Sequence, residues 1–378
     1  MKSHVLVTGG AGFIGSWLVE RLLDAGRQVT VLDNLSPQIH GTKPVQQLLP
    51  LDRDGLRFER GDVRDRELLD RLLATCDEVV HLAAETGTGQ SMYRIDHYYD
   101  VNLQATARLF ELVGTRHKQI RRIVLASSRS VYGEGAYRLG NRILVPAGRS
   151  VQRMAAGLWE PVGPAGEALE LIATPEDAPA RPSSIYALTK LAGEQLAQVF
   201  ADTYGVSVVA LRFQNVYGER QSLSNPYTGI LSIFSNRMRQ NLPINLFEDG
   251  QESRDFVHVS DVVRAIDLAL ERARPGMQII NIGSGVATSV ERVAQLLAQR
   301  LASRSQLDVS GDFRAGDIRH CYADLGRAAE RLGFAPEVTL ERGLDAFCDW
   351  VRRQPVVADG SVAAQRELCA LGLGRAQP

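Results

Sequence analysis

The chain has 378 residues, 44% of them hydrophobic and 23% charged, a composition typical of a globular protein with a substantial core. Its 43 Lys and Arg residues nearly balance its 44 Asp and Glu residues, which excludes a strong overall field toward nucleic acid or an anionic membrane. The four cysteines are widely spaced, no run approaches the roughly 18 apolar residues of a membrane span, and no leader segment is evident. We therefore expect a cytoplasmic protein with no nucleic-acid or membrane partner.

Strand-like and helix-like runs alternate through the first half of the chain. Runs rich in β-branched residues predict strands over residues 4–9, 27–34, 56–62, 77–84 and 121–128. Runs of helical period lie between them, at residues 13–26, 66–76 and 102–116. Repeated alternation of this kind predicts a parallel sheet with helices on both faces, the doubly wound Rossmann arrangement of the α/β class.

Residues 133–182 interrupt this alternation. The segment is rich in Gly, Pro and Ala and has only one helical hint, at residues 166–173. Loops of this length are uncommon in compact domains, so we expect a lid over the site, a subunit contact or a mobile appendage. The segment contains neither Cys nor His, so we expect no zinc site there, and we predict no metal site elsewhere.

The alternation resumes with a helix over residues 184–205 and a strand over residues 206–213. We predict a Rossmann domain over residues 1–214 that carries the insertion 133–182. A smaller C-terminal substrate-binding domain follows over residues 215–350, with some segments returning to the Rossmann sheet. The remaining residues, 351–378, form a helical, Arg-rich tail with no readable function.

The first strand runs into TGGAGFIG, where Gly9, Gly12 and Gly15 precede a helix. Glycines let the backbone turn tightly and approach a pyrophosphate, and the helix N-terminus offers free N–H groups and the positive end of its dipole. The second strand ends at Asp33, whose carboxylate can accept both ribose hydroxyls, and no arginine follows it to hold a 2′-phosphate. The pattern predicts NAD rather than NADP. The alternative is a glycine-rich turn that only packs a helix on a strand.

Other positions near this turn are candidate cofactor contacts. Asp62 and Val63 follow the third strand and either bracket the adenine or cap a strand-to-helix turn. The remaining candidates lie in the glycine turn, beside Asp33 and at the end of the fourth strand: Phe13, Ile14, Asn34, Leu82, Ala83 and Ala84.

Several motifs occur in the order seen in extended short-chain dehydrogenases/reductases: TGGAGFIG, Asp33, DV at 62–63, HLAA at 81–84, SSRSVYG at 127–133 and YALTK at 186–190. Over roughly residues 1–350, apart from the insertion, the chain resembles the nucleotide-sugar epimerases and dehydratases of that superfamily. HLAAETGTGQSMY and SNPYTGILSIF are similar to the branch of dTDP-L-rhamnose 4-epimerases and related NAD-dependent sugar 4-epimerases. The resemblance implies NAD as cofactor, a dTDP- or UDP-sugar as substrate, and a homodimer formed through helices that include the one at 184–205.

Tyr186 and Lys190 lie four residues apart, so they share one face of the predicted helix. By the resemblance, Lys190 holds its ammonium near the Tyr186 hydroxyl and the nicotinamide ribose. A nearby cation favours the phenolate of a tyrosine whose ordinary pKa is about 10, so Tyr186 can serve as general base. Ser128, by its position before VYG, matches the catalytic Ser/Thr that hydrogen-bonds the substrate oxygen. Considered alone, Tyr186 and Lys190 would be a core aromatic residue and a solvated lysine.

The resemblance implies a mechanism in which Tyr186 takes the O4 proton of the sugar while C4 gives hydride to NAD⁺. The 4-keto sugar then turns over in the site, and hydride returns to its other face. Polar side chains after the fourth strand are candidate sugar contacts, namely Thr86, Thr88 and Gln90. The predicted substrate site also includes residues that follow the fifth strand or match phosphate-binding and ribose-binding positions of relatives: Ser128, Arg129, Asn215, Arg254, Arg314 and Asp317.

Dehydratases that resemble this chain carry an Asp-Glu pair directly after the catalytic Ser/Thr. This chain has Arg129 and Ser130 there, which argues against dehydration. Two alternatives to a 4-epimerase stay open: a nucleotide-sugar 4-reductase or dehydrogenase with net redox turnover, and a non-catalytic NAD-binding regulator. The intact pair of Tyr186 and Lys190 makes the regulator the weakest of the three hypotheses.

Overall fold

The structure is a computed structural model that describes residues 3–41, 43–225, 227, 229–314 and 316–371. Its strands, in chain order, are β1 His4–Thr8, β2 Gln28–Asp33, β3 Leu56–Arg60, β4 Glu78–His81, β5 Arg122–Ser128, β6 Tyr137–Leu139, β7 Arg142–Leu144, β8 Glu170–Leu171, β9 Ser207–Phe213, β10 Asn215–Tyr217, β11 Ile244–Leu246, β12 Ser253–Arg254, β13 Phe256–His258, β14 Met277–Ile282, β15 Thr288–Ser289, β16 Leu307–Val309 and β17 His320–Cys321.

The α-helices, in chain order, are α1 Phe13–Asp24, α2 Pro37–His40, α3 Arg66–Leu73, α4 Thr88–Ser91, α5 Ile95–Tyr99, α6 Ala105–Thr115, α7 Val151–Ala155, α8 Ile185–Tyr204, α9 Ile230–Arg239, α10 Val259–Arg272, α11 Val290–Leu301, α12 Gly326–Leu332, α13 Leu340–Arg353 and α14 Ser361–Ala370. Short 3₁₀-helices cover Val45–Gln47 and Arg129–Tyr132, and a π-helix covers Asp100–Gln104. Within the described ranges, no helix is both long and apolar enough to cross a membrane.

A seven-stranded parallel sheet forms the centre of the molecule, in the order β14-β9-β5-β4-β1-β2-β3. β1 pairs with both β2 and β4, so the strand order reverses here and leaves a crevice at the carboxyl ends of these strands. Every residue of β9 is buried, as expected for an inner parallel strand covered on both faces. The predicted doubly wound Rossmann sheet is confirmed.

Helices cover both faces of this sheet. α1, α10 and α12 pack on one face around Leu18, Ile266 and Leu332. α3, α6 and α8 pack on the other face around Leu69 and Phe110. The two apolar layers hold the strand ends rigidly, which is what a site built on the loops after those strands requires.

The helix that carries Tyr186 has well-defined ends. At its N-terminus the Ser184 side chain accepts a hydrogen bond of 3.1 Å from the Ala187 backbone N–H, and at its C-terminus Gly205 adopts a left-handed φ of 67°. The predicted boundaries of this helix are confirmed. Because α8 packs against β5 and the 3₁₀-helix that follows it, Tyr186 in the first turn comes close to the end of β5.

A smaller unit follows β9. Its apolar core lies between α9, α11 and α13 and includes Leu231, Leu297 and Phe347. Short strands flank this core as the pairs β10–β13 and β11–β16 and the sheet β15–β12–β17. β14 returns from this unit to the edge of the central sheet, where it pairs with β9. The predicted boundary after residue 214 falls between β9 and β10 and stays a prediction.

The insertion, residues 133–182, contains a small antiparallel sheet in which β6 pairs with β7 and β8. The helical hint at residues 166–173 is wrong, because β8 lies within it and Ala168 bridges to Val162. Strand pairing with β6 overrides the local helix propensity of the sequence. The single helix in the described insertion is α7, in a stretch where the sequence pattern predicted none.

Ion pairs formed by two buried arginines join the insertion to the smaller unit. We call the following residues the insertion clamp: Glu134, Arg149, Glu160, Glu248, Asp249 and Arg319. Arg149 lies 2.7 Å from Glu248 and 3.4 Å from Glu134. Arg319 lies 2.6 Å from both Glu160 and Asp249 and 3.0 Å from Glu248. Both guanidinium groups are buried, and each has more than one carboxylate to compensate its charge.

Candidate active site

A cavity of about 710 Å³ lies at the carboxyl ends of the central strands. Its walls come from the loops after β1, β2, β3, β4, β5 and β9, from α8 and from the smaller unit. The cavity therefore spans the point where the strand order reverses, which is where ligands bind in sheets of this kind.

The glycine turn after β1 forms one end of the cavity. Gly9 adopts φ 71°, and a Cβ built on it would lie 2.8 Å from the backbone of the loop after β4. A Cβ built on Gly15 would lie 2.3 Å from the Gly9 carbonyl oxygen, so neither position accepts a side chain. Gly12, Phe13 and Ile14 also line the cavity, where the start of α1 offers backbone N–H groups to an anion. This cradle fits a pyrophosphate.

Asp33 ends β2 and lines the cavity next to the glycine turn. Its carboxylate accepts hydrogen bonds from the backbone N–H groups of Ala11, over 3.0 Å, and Leu35, over 2.8 Å. These bonds fix the side chain, which is only 7% exposed. A carboxylate held beside a pyrophosphate cradle is suited to accept hydrogen bonds from ribose hydroxyls.

Asn34, Asp62 and Val63 form the wall next to Asp33. The Arg64 side chain donates to Asp62 and holds the pKa of that carboxyl at about 2, and the Asn34 amide donates to it over 3.1 Å. Asp62 also accepts the Arg64 backbone N–H over 2.9 Å. Asp62 therefore lines the cavity and also closes a turn, and its contact with an adenine stays a prediction. The loop after β4 contributes the remaining predicted cofactor contacts, Leu82, Ala83 and Ala84.

Tyr186 and Lys190 line the cavity from the N-terminal part of α8. The Lys190 ammonium lies 5.8 Å from the centre of the Tyr186 ring and donates a hydrogen bond of 2.9 Å to the Ala126 carbonyl. Burial lowers the pKa of Lys190 to about 8. Burial raises the pKa of Tyr186, whereas the Ser128 hydroxyl and the positive charge of Arg129 act in the opposite direction. Burial outweighs these two groups, so the pKa of Tyr186 lies above its ordinary value in the protein alone.

Ser128 ends β5 and lines the same wall. Its oxygen accepts hydrogen bonds from the Ser130 backbone N–H, over 3.2 Å, and the Ser130 hydroxyl, over 2.9 Å. Its own O–H is thereby left to donate toward Tyr186 or a substrate oxygen. His81, at the end of β4, lies between two threonine hydroxyls, and burial lowers its pKa to about 3, so it stays neutral and has a structural role.

Arg129 and Asn215 line the cavity beside these residues. The Arg129 Nε donates a hydrogen bond of 2.7 Å to the Asn215 side-chain oxygen. The Arg129 Nη1 is buried and has no hydrogen-bond partner among the residues that the structure describes. The structure therefore brings these two predicted substrate residues to the wall that carries Ser128.

Thr86 and Thr88, two of the predicted sugar contacts after β4, line the cavity. Gln90 does not line it. Its side-chain amide exchanges hydrogen bonds of 3.1 Å with Gln38 and accepts another from the Tyr98 hydroxyl, and the residue is 4% exposed. The amide of Gln90 is used to hold the loop that carries the two threonines.

Arg254, Arg314 and Asp317 lie outside the cavity walls that the described residues form. Arg254 donates to two backbone carbonyls and lies 3.5 Å from the Asp317 carboxylate. The Arg314 guanidinium lies 4.7 Å from the centre of the Phe247 ring. Contacts of these three residues with a substrate stay a prediction.

Residues 5–145 and 160–283 match the profile of the NAD dependent epimerase/dehydratase family. The chain belongs to this family. Its cofactor is NAD, and the shape of the glycine cradle, together with the fixed carboxylate of Asp33, fits that dinucleotide.

Members of the NAD dependent epimerase/dehydratase family align with nearly the whole chain. The dTDP-L-rhamnose 4-epimerase of Burkholderia thailandensis is 37% identical over 356 residues, which cover 93% of this chain and 95% of that protein. The crystal structure of the Thermotoga maritima UDP-glucose 4-epimerase with UDP-glucose has a TM-score of 0.75 at 29% identity and covers 93% of this chain and 99% of that one. MoeE5 in complex with UDP-glucuronic acid and NAD has a TM-score of 0.74 at 35% identity, with the same coverage.

The sequence did not predict some of the residues that line the cavity. Trp350 and Gln354 come from the end of α13 and the residue after it, and Pro355 and Val357 come from the tail that had no readable function. The tail therefore closes part of the cavity, and its sequence has no local motif that could have indicated this. The motif SNPYTGI was a usable signal, because four of its described residues, Ser224, Asn225, Tyr227 and Gly229, line the cavity.

Proposed function

We propose that this protein is an NAD-dependent 4-epimerase of a dTDP- or UDP-activated sugar, with Tyr186 as general base. One observation supports this most directly: Tyr186, Lys190 and Ser128 line one cavity that continues into the dinucleotide cradle. Relatives aligned over nearly the whole chain include 4-epimerases of dTDP- and UDP-sugars, which agrees with the proposal, and also dTDP-glucose 4,6-dehydratases, which the residues after Ser128 argue against.

The protein side chains move one proton in each half of the proposed reaction. Tyr186, as phenolate, takes the proton from the sugar O4, and Ser128 donates a hydrogen bond to the same oxygen. NAD, held by the glycine turn and Asp33, would supply the hydride acceptor for C4 and, once reduced, the hydride donor for the other face of the sugar. Lys190 keeps a positive charge near the phenolate. Tyr186 finally returns the proton to O4, so that the protein ends in its starting state.

The residues after Ser128 supply no carboxylic acid for the elimination of water. Arg129 and Ser130 occupy those positions, and neither can act as an acid–base pair of carboxylates. Glu85 lines a neighbouring part of the cavity, and its carboxylate lies 3.1 Å from the His97 Nε2. We assign Glu85 the role of accepting a hydrogen bond from a sugar hydroxyl. This arrangement favours epimerisation over dehydration.

The substrate is proposed to enter with its sugar toward Thr86 and Thr88 and its nucleotide toward the smaller unit. Asn215 would receive the sugar end of the pyrophosphate, because it lines the cavity and belongs to the smaller unit. Guanidinium forks match phosphate oxygens, so Arg254 and Arg314 would bind farther along the nucleotide, with Asp317 as a ribose contact or a partner for the two cations.

Two neighbouring helices offer a surface for a second copy of the chain. Ile95 and Tyr99 of α5 are 51% and 50% exposed, and Leu188 and Val199 of α8 are 50% and 66% exposed. Exposed apolar side chains on adjacent helices are typical of subunit interfaces. We therefore include a homodimer through α5 and α8 in the proposal, and we expect Val199→Asp to shift the mass in light scattering to that of a monomer.

A cytoplasmic location is part of the same proposal. Cys76, Cys321 and Cys348 are buried thiols that form no disulfide. Thiols in this state are typical of reducing compartments, and activated sugars of this kind are consistent with such a setting.

The decisive experiment incubates the NAD-loaded protein with a panel of dTDP- and UDP-sugars. Proton NMR at C4 reports inversion, and absorbance in the NADH band is followed in parallel. We expect a C4-inverted product without net NADH, and a loss of at least about 1000-fold in turnover for Tyr186→Phe, because the variant has no proton acceptor. Tyr204→Phe is the matched control: its ring lies at the far end of α8 and is 49% exposed.

Two outcomes would contradict the proposal. A stoichiometric appearance or consumption of NADH would reassign the protein as a nucleotide-sugar 4-reductase or dehydrogenase. Equal behaviour of Tyr186→Phe and the unmodified protein, with normal NAD binding and no turnover of any sugar, would indicate a regulator that binds the dinucleotide without chemistry.

A further inference from the structure

The loops that follow β2 and β4 are joined through two glutamine side chains, which we call the amide bridge. The Gln38 amide of α2 donates to the Gln90 Oε1 over 3.1 Å, and the Gln90 amide donates back to the Gln38 Oε1 over 3.1 Å. A reciprocal pair of this kind uses the donor and the acceptor of each amide at once. Gln90 is only 4% exposed, so water has little access to its side of the bridge.

The loop after β4 holds its end of the amide bridge rigidly. The Tyr98 hydroxyl lies 2.6 Å from the Thr86 carbonyl oxygen and 3.1 Å from the Gln90 Oε1, and Tyr98 is fully buried. The Ser91 hydroxyl donates to the Thr88 carbonyl over 2.6 Å and closes the turn that carries Gln90. Gln90 is therefore a fixed point to which another segment can attach.

The other end of the amide bridge belongs to residues 34–40, which we call the strap. The strap leaves β2 at Asp33, and the His40 Nε2 at its far end lies 3.4 Å from the Asp33 carboxylate. Ile39 and His40 line the cavity, whereas the Gln38 side chain reaches to the loop after β4. The strap thus folds back beside the carboxylate that is suited to bind ribose hydroxyls.

The order of the strands determines what the amide bridge crosses. β1 pairs with both β2 and β4, so the glycine turn after β1 lies between the two bridged loops. Neighbouring strands are roughly 4.8 Å apart, which places β2 and β4 about 10 Å apart. Ile39 and Thr88 line the cavity next to the bridged residues, so the bridge forms an outer layer of the cavity wall. The two loops and the bridge therefore close a ring at the carboxyl end of β1.

A dinucleotide in this cavity has one half on each side of that ring. The adenosine half belongs beside Asp33 and the pyrophosphate at the glycine turn, and the nicotinamide half extends toward Tyr186. Both halves are wider than the pyrophosphate that links them. A molecule of this shape leaves a closed ring only if the ring opens.

We propose that the strap and the amide bridge form a gate that retains NAD, with Gln38 and Gln90 as positioning residues that keep the gate closed. In the proposed function the same dinucleotide serves both half-reactions, so its loss between them would strand a 4-keto sugar. The benefit of the gate rests on that proposed function. The gate itself concerns the binding of NAD alone and can be tested without a sugar.

The test measures how fast NAD leaves the loaded protein. Protein loaded with radiolabelled NAD is chased with an excess of unlabelled NAD and filtered at intervals, and equilibrium titration with the same label gives the dissociation constant. We expect Gln38→Ala to release NAD about tenfold faster, because it removes both hydrogen bonds that close the gate. An open gate also speeds entry, so the dissociation constant should change by less than about threefold.

Two further variants make this measurement specific. Gln46→Ala is the matched control, because Gln46 is an exposed glutamine in the next 3₁₀-helix and lies outside the cavity walls that the described residues form. We expect wild-type release from it. Gln90→Met keeps the length of the buried side chain, and its combination with Gln38→Ala should release NAD no faster than Gln90→Met alone, since either change breaks the same bridge.

The rates and the dissociation constant together decide the outcome. Unchanged release from Gln38→Ala would overturn the proposal. A dissociation constant that rises in proportion to the release rate would overturn it as well, because Gln38 would then be an ordinary contact of bound NAD rather than part of a gate. Faster release and faster entry in a protein that epimerises none of the sugars would support the gate while rejecting the proposed function.

Discussion

The cavity wall around Tyr186 and the insertion clamp both contain arginines, but the surroundings of the charge differ. In the clamp, Arg149 and Arg319 are each surrounded by carboxylates at 2.6 to 3.4 Å. In the wall, Arg129 bonds to an amide oxygen and leaves Nη1 without a partner among the described residues. A compensated buried charge fixes two parts of a fold together, whereas an uncompensated one leaves its field available for a ligand or a reaction.

This contrast predicts different consequences for substitution. Removal of an arginine from the clamp takes away one of the cations that compensate its carboxylates, which lowers stability. Removal of the charge of a wall residue relieves an unfavourable interior cation, so we expect the loss to appear in chemistry rather than in folding.

The largest effect should come from Arg319→Leu. Glu248 keeps Arg149 as a partner, and Glu160 and Asp249 are 60% and 38% exposed, so we expect the free energy of unfolding to fall by about 3 kcal/mol, the lower end for a broken buried pair. Denaturant unfolding followed by tryptophan fluorescence measures it, with Arg129→Gln as the matched variant in the wall. A larger loss of stability in Arg129→Gln than in Arg319→Leu would break the comparison.

A smaller effect, with a defined pH dependence, is expected from Glu252→Gln. Burial and the neighbouring Glu248 charge raise the pKa of Glu252 from 4.5 to about 7, and one of its carboxylate oxygens is buried without a described partner. Because the folded pKa lies above the unfolded one, the folded state is favoured while Glu252 stays protonated, and stability is lost as pH rises from about 4.5 through about 7.

Glutamine does not titrate, so Glu252→Gln should be more stable than wild type by about 2–3 kcal/mol at pH 8 and nearly equal to it at acidic pH. Melting temperatures of the two proteins across this pH range provide the measurement. If the two melting temperatures differ by the same amount at all pH values, Glu252 does not titrate in this range. Its ionisation beside the clamp would then not destabilise the folded state.

The wall should show a pH dependence of its own, in catalysis. Burial lowers the pKa of Lys190 to about 8, so its charge is present below that pH and is lost above it. We expect kcat/KM to decline above pH 8 by about tenfold per pH unit, and Lys190→Arg to remove the decline because arginine does not titrate there. A decline that persists unchanged in Lys190→Arg would assign it to another group.

The smallest effect is expected from an ion pair at the surface of the insertion. Arg138 and Glu170 lie 3.4 Å apart, and their side chains are 48% and 65% exposed. Arg138→Ala should therefore change the free energy of unfolding by less than about 0.5 kcal/mol, measured beside Arg319→Leu. A change comparable to that of Arg319→Leu would show that burial does not determine which ion pairs hold the insertion.

The sequence predicted the parts of the molecule whose signals are local. Apolar runs marked the inner strands, and the Ser184 cap and Gly205 bounded the helix of Tyr186, because each depends on a few consecutive residues. The glycine turn and Asp33 could also be predicted as a dinucleotide site, since their spacing follows from the chemistry of a dinucleotide. The positions of these residues around one cavity agree with the family to which the chain belongs.

Contacts between distant segments could not be predicted in this way. The Arg149–Glu248 pair joins residues 99 positions apart, and nothing near either residue indicates its partner. Gln90 looked like a sugar contact from its loop, but its packing against Gln38 turns its amide away from that use. The tail residues Pro355 and Val357 line the cavity only because the chain folds back past α13.

The two ends of the insertion lie next to each other, which affects how this segment could change during evolution. The Arg181 backbone N–H donates to the Val131 carbonyl over 2.9 Å, so the chain leaves and rejoins the Rossmann fold at a single point. A segment whose ends are adjacent can be shortened, lengthened or exchanged without a change in the chain path of the rest of the fold. The insertion could therefore be exchanged as a unit during evolution. A replacement segment would have to preserve the ion pairs that the insertion clamp forms with the smaller unit.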